Sequence, residues 1–141
     1  MSIPKVQSRS VLVTGCSSGI GAATADLLRE AGWHVFPTAR KPGDSEALRA
    51  RGFTPIALDV AEAASVERAA RELLERTNGT LGALVNNAGF CQAGAAEDVS
   101  REALRGQFEA NLFGPHQLTR TLLPVFRRHG YGRIVNVSSV L

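Results

Sequence analysis

Residues 14–21 read Thr-Gly-Cys-Ser-Ser-Gly-Ile-Gly, and three glycines with two serines in so short a space are suited to holding an anion. Gly15 permits a sharp reversal of the backbone, Gly19 leaves no side chain in front of a bulky phosphate, and Gly21 allows close packing of whatever follows. The hydroxyls of Ser17 and Ser18 add donors. A helix starting here would aim its first N–H groups and a partial positive charge at the same anion. A glycine-rich turn without a ligand has the same local composition. A second candidate lies at Thr38-Ala39-Arg40-Lys41, where uncharged Ala39 precedes Arg40. A guanidinium can grip a phosphate through two parallel hydrogen bonds, and a solvated loop arginine is the plainer alternative. Cys16 and Cys91 stand far apart in glycine-rich segments and read as reduced thiols of a cytoplasmic protein, not a disulfide framework. His34, His116 and His129 have no metal-ligand spacing, so no metal is expected, and the last two read as helix surface.

The elements that must position these groups alternate along the chain. A short buried strand at Val11–Thr14 leads through the glycine turn into a helix from Ile20 to Ala31, ended by Gly32. Trp33–Thr38 reads as a second strand, followed by a polar turn and a helix from about Ser45 to Arg51. Thr54–Leu58 reads as a third strand. Ala61 to about Thr77 is helical, with Ala63, Val66, Ala70, Leu73 and Leu74 on one face. Leu81–Asn86 makes a fourth strand, a long helix runs from Ser100 to about Arg128, and Arg133–Val137 makes a fifth strand. The strands are apolar without alternation, as parallel strands covered on both faces are. The expected fold is therefore α/β, a doubly wound parallel sheet in one domain spanning 1–141. A glycine-rich turn between the first strand and first helix of such a sheet is where dinucleotides bind.

Composition narrows the classes. In 141 residues, 44% hydrophobic and 21% charged content belong to a globular domain with a real core. The pI of about 9.4 reflects a net charge of only +3, with arginines spread along helices, which argues against a nucleic-acid surface. No apolar run approaches the roughly 18 residues of a membrane span, and the first ten residues lack a signal-peptide core.

The glycine spacing is Thr-Gly-x-x-x-Gly-x-Gly, which resembles the short-chain dehydrogenase/reductase family. Leu58-Asp59-Val60, Asn86-Asn87-Ala88-Gly89, Asn111 within Ala-Asn-Leu-Phe-Gly-Pro, and Gly132–Val140 match further family segments in the right order. The resemblance covers essentially the whole chain and implies a Rossmann-type fold, truncated after the fifth strand. It implies a cofactor site of Gly15, Ser17, Ser18, Gly19, Ile20, Gly21, Arg40, Asp59, Val60, Asn87, Ala88 and Gly89, with Asp59 against the adenine. Enzymes selecting NAD place a carboxylate at the end of the second strand, where this chain has Ala39 followed by Arg40. That favours NADP(H) over NAD; Ser18, where NADP-dependent relatives often carry a basic residue, counts mildly the other way.

The implied chemistry is hydride transfer between nicotinamide and a carbonyl or secondary alcohol of a small molecule. Ser139 would hold the substrate oxygen, with Ser138 a neighbour whose hydroxyl bonds backbone, and Asn111 would join a proton relay. A plainer role for Asn111 is to satisfy backbone groups loosened near Gly114-Pro115. The chain departs from the family in one respect. The Tyr-x-x-x-Lys pair belongs about a dozen residues beyond the catalytic Ser, and Tyr131 has Val135 four residues later. Residues 1–141 alone are therefore expected to be inactive, with an apolar open edge at the fifth strand, and the complete enzyme to be a homo-oligomer. The competing class is a non-catalytic nucleotide-binding or interaction module. An unrelated flavodoxin-like domain would leave Asn-Asn-Ala-Gly and Val-Ser-Ser-Val unexplained.

Overall fold

The computed structural model describes residues 5–139. Strands β1 (Ser10–Val13), β2 (His34–Ala39), β3 (Ile56–Ala57), β4 (Ala83–Asn86) and β5 (Arg133–Asn136) form one parallel sheet in the order β3-β2-β1-β4-β5. The helices are α1 (Gly19–Glu30), α2 (Pro42–Ala50), α3 (Ala63–Arg76), α4 (Arg101–Phe108) and α5 (Gly114–His129), with a π-helical segment at Glu109–Phe113. Successive strand residues face opposite sides, and both sides are apolar. Leu12, Phe36 and Leu84 pack with Val66, Ala69 and Leu73 of α3 and Leu118 and Leu122 of α5. Val11, Val13, Val35 and Val85 pack with Ala25 of α1 and Leu48 of α2. Double coverage explains why no strand alternates with polar residues, and each fully enclosed Leu or Phe stabilises the sheet by about 1.5–3 kcal/mol.

Three expectations change at the level of elements. The helix expected from Ser45 begins at Pro42, because a proline in the first turn has no N–H to lose and a backbone angle already suited to the helix. The third strand shrinks from Thr54–Leu58 to two residues, paired only with Thr38 and Ala39 of β2. Pro55 beside it has no N–H for a ladder. The single helix expected over 100–128 is divided. Pro115 lacks the N–H that would meet the carbonyl of Asn111 four residues back, and the chain widens there into the π segment. A side chain at Gly114 would collide with the carbonyl of Val60, so only glycine lets α5 pass the end of β3 this closely.

Sheet order reverses between β1 and β4, so the segments leaving their carboxyl ends part and open a crevice. Among the described residues β5 is the outermost strand beside β4, with Ile134 and Val135, and Val137 just after it, exposed. The core thus sits under β1 and β4. Leu84→Ala should cost about 2–5 kcal/mol of unfolding free energy. Val135→Ala should cost less than about 1 kcal/mol. Denaturant titration of the two variants checks this, and equal losses would place the core elsewhere.

Candidate functional site

The turn after β1 is held from three sides. The Thr14 hydroxyl accepts from the N–H groups of Asn87 and Ala88, each at 2.9 Å. The Asn87 side-chain amide donates to the carbonyls of Thr14 at 2.9 Å and Gly15 at 3.1 Å. From the β2 side, Thr38 Oγ1 accepts from Gly15 N–H at 3.2 Å and its carbonyl from Cys16 N–H at 2.8 Å. Gly15 has φ +71° and packs so tightly on Ala88 that a Cβ would lie 2.8 Å from its Cα. Gly21 abuts the carbonyl of Gly15 and leaves no room for a side chain, which is the close helix packing expected of it. Gly19 differs: it has φ +60° and nothing within 4 Å of a would-be Cβ. The space before α1 is open. The Ser18 side chain does not cap the helix, and the first-turn N–H groups have no intrahelical acceptor. Ser17, Ser18 and Ile20 are exposed around that opening. Thr14 and Thr38 brace the turn. Each lies inside a stretch read from the sequence, but the bracing role of neither is legible there, because the partners are distant in the chain.

The crevice holds a cavity of about 790 Å³, lined among others by Ile20, Gly89, Asn111, His116, Ser138 and Ser139. The structure thereby brings Asn111 and both candidate serines to one opening with the start of α1. Asn111 lies in the π segment, and its side chain forms a reciprocal pair with Phe90, accepting from the backbone N–H at 3.1 Å and donating to the carbonyl at 2.7 Å. The amide thus serves the loop after β4, not the helix around Pro115. Gly89 makes this possible, since a Cβ there would sit 2.8 Å from Asn111 Oδ1. Gln107 of α4 holds the same loop by accepting from Gln92 N–H at 2.7 Å. His116 stands exposed at the cavity wall. His129, expected as plain helix surface, donates from Nε2 to the carbonyl of Gly79 at 3.0 Å.

Arg40 and Asp59 meet in a second, smaller groove of about 370 Å³ beside β3. Arg40 Nη1 lies 3.8 Å from Asp59 Oδ2, with the arginine side chain 66% exposed. The other Asp59 oxygen accepts from Ala61 N–H at 3.0 Å, and Ser65 Oγ accepts from Asp59 N–H at 3.0 Å, so backbone groups hold Asp59 while the guanidinium is largely in solvent. Ala39 and Val60 are buried. Among the described residues no group of three or more His, Cys, Asp or Glu is placed to hold a metal, and no helix is long and apolar enough to cross a membrane.

A parallel doubly wound sheet with a glycine turn at its crevice is an α/β architecture in which nucleotides bind after the first strand. The family model for short chain dehydrogenases matches residues 9–141. An uncharacterized oxidoreductase of Escherichia coli, YbbO, is 47% identical over 137 residues, covering 97% of this chain and 51% of the relative. A 3-ketodihydrosphingosine reductase of Bacteroides thetaiotaomicron is 34% identical over 135 residues, covering 96% and 48%. The crystal structure of a short-chain dehydrogenase from Streptomyces avermitilis superposes with a TM-score of 0.86 at 40% identity, covering 94% of this chain and 50% of that one. The chain belongs to the short-chain dehydrogenase family, a family of oxidoreductases that use nicotinamide cofactors, and it spans about half the length of these relatives.

The two thiols differ sharply. Cys16 is fully buried, its Sγ donates to the carbonyl of Val13, and burial pushes its pKa up to about 12. Cys91 is exposed at the cavity rim. Only the thiolate is alkylated, so in the folded protein iodoacetamide should label Cys91 and spare Cys16 from pH 7 to pH 10, below the raised pKa of Cys16. Peptide mass mapping reads the outcome, and labelling of Cys16 at pH 8 would contradict the packing of the turn.

Proposed function

We propose that this chain forms the cofactor-binding part of an NADP(H)-dependent oxidoreductase that interconverts a carbonyl and a secondary alcohol on a small molecule. The observation that carries the reading is the single cleft of about 790 Å³ shared by Ile20 in the first turn of α1, Asn111 and the Ser138-Ser139 pair. The turn fits a dinucleotide: Gly15 and Gly19 already hold positive φ, and Gly19 faces open space where a pyrophosphate needs it. Gly15, Ser17, Ser18, Gly19, Ile20 and Gly21 would hold the pyrophosphate, Asp59 and Val60 the adenine, and Asn87, Ala88 and Gly89 the wall between. When bound, NADP(H) supplies or accepts the hydride. Ser139 donates a hydrogen bond to the substrate oxygen and stabilises the charge that gathers on it. Asn111 acts by fixing the Phe90 backbone at the cleft and by joining a proton relay. The family moves the proton with a Tyr-x-x-x-Lys pair, a spacing that residues 1–141 do not contain. The ketone named in the Bacteroides reductase is consistent with a carbonyl substrate.

NADP(H) over NAD(H) rests on buried, uncharged Ala39 and exposed Arg40 at the end of β2. A 2′-phosphate would draw the guanidinium from its loose contact with Asp59. Arg40→Ala should weaken NADP(H) binding by about 1.5–3 kcal/mol and leave NAD(H) binding intact, read by titration of both dinucleotides. Equal losses would overturn the assignment. In a chain that carries these residues together with Tyr-x-x-x-Lys, Ser139→Ala should lower kcat by about 10²-fold while cofactor affinity holds. A larger loss in Ser138→Ala would transfer the role. In the same assay residues 1–141 alone should show no turnover, because removing a positioned acid–base group costs about 10²–10⁴-fold.

A further inference from the structure

Gln107 and Asn111 stand about one helical turn apart, and both side-chain amides reach the segment that follows β4. Asn111 takes the N–H and the carbonyl of Phe90, and Gln107 Oε1 accepts from Gln92 N–H at 2.7 Å. Bonds at residues 90 and 92 have the spacing of an extended segment laid along its partner. The two anchors do different work. A segment bound at Phe90 alone could pivot there, and the bond at Gln92 removes that freedom. Among the described residues, the next backbone bonds join Asp98 and Val99 to Ala95, within the loop itself. Gln107 thus sets the direction in which the loop leaves Phe90. Inverting its amide would oppose two donors, so the acceptor is fixed by its partner. An apolar side chain could fill the same space, but apolar packing is non-directional. Phe90, Cys91, Gln107 and Asn111 all line the cleft that also holds Ser139.

We propose that Gln107 is a positioning residue for substrate, which by directing residues 90–92 makes Phe90 and Cys91 the wall that holds the substrate's non-reacting body. This rests on the reading of the cleft as a carbonyl or alcohol site. Such a wall binds ground state and transition state alike, so its loss falls on KM and spares kcat. The test uses a chain bearing these residues together with Tyr-x-x-x-Lys, with NADPH and the uncharged probes acetophenone and cyclohexanone. Uncharged probes suit a cleft whose lining, among the described residues, holds no Asp, Glu, Lys or Arg. Gln107→Leu keeps the size of a half-buried side chain and removes the acceptor; Gln107→Ala is the second variant should it not fold. KM should rise by about 3–10-fold, the worth of one neutral hydrogen bond, with kcat within about twofold and NADP(H) affinity unchanged. Gln107→Glu keeps an acceptor and should return KM to within about twofold of the starting chain. Amide exchange read by NMR reports the positioning itself: Gln107→Leu should speed exchange at Gln92 and spare Phe90. Faster exchange at Gln92 with an unchanged KM would show a loop that does not serve the substrate, and overturn the proposal. Losses as heavy on kcat or cofactor affinity as on KM, or repeated in full by Gln107→Glu, would do the same. No turnover of either ketone by the starting chain, or a fully active Ser139→Ala, would overturn the reading of the cleft, and the positioning role with it.

Discussion

The reciprocal binding of Thr14 and Asn87 is the constraint on which the rest of the site depends. Parallel strands β1 and β4 are adjacent in the sheet, but their following segments diverge, and a glycine turn has no intrinsic preference for one path. Four hydrogen bonds between Thr14-Gly15 and Asn87-Ala88 select that path. They satisfy groups that the sheet ladder no longer reaches, so the turn is ordered without side-chain bulk where a ligand would lie. Ala88 then packs on Gly15, and Gly21 lies against the carbonyl of Gly15, which sets the start of α1. The open space at Gly19 follows from these contacts.

The opposite wall is built by a second device of the same kind. Pro115 denies the helix one donor, the chain widens at Glu109–Phe113, and Asn111 reaches the backbone of Phe90. That pair works like a short piece of strand ladder between a helix and a loop. With Gln107 on Gln92, it keeps the segment after β4 against the cleft, although nearly all of residues 89–98 are exposed. Gly114 against Val60 ties the same helix to the segment after β3, so the Asn111 side of the cleft and the Arg40–Asp59 groove flank one packed helix.

What the sequence made legible were features whose physics is local. Apolar runs without alternation signalled a sheet covered on both faces, and Leu12 against Val11 and Val13 shows that coverage directly. Gly21 announced a close helix–strand contact because no other residue tolerates one. The division of the helix over 100–128 was hidden, since its apolar spacing continues through the π segment and only Gly114-Pro115 hinted at it. The long-range braces, on the turn and between β4 and its neighbours, were hidden for a different reason. Thr38 is 23 residues from Gly15, and Asn86 is 33 and 50 residues from Thr119 and Asn136, so their pairing exists only once the sheet has formed.

The two halves of the site are therefore held by different physics. The glycine turn rises from β1, a central strand with neighbours on both sides and helices on both faces, so its geometry is set by the core. The serines follow β5, which joins the sheet through its ladder with β4, from Ala83 and Arg133 to Asn86 and Asn136. The turn is thus set by packing around residues 10–40 and 83–89, and the serines by the register of a strand ladder.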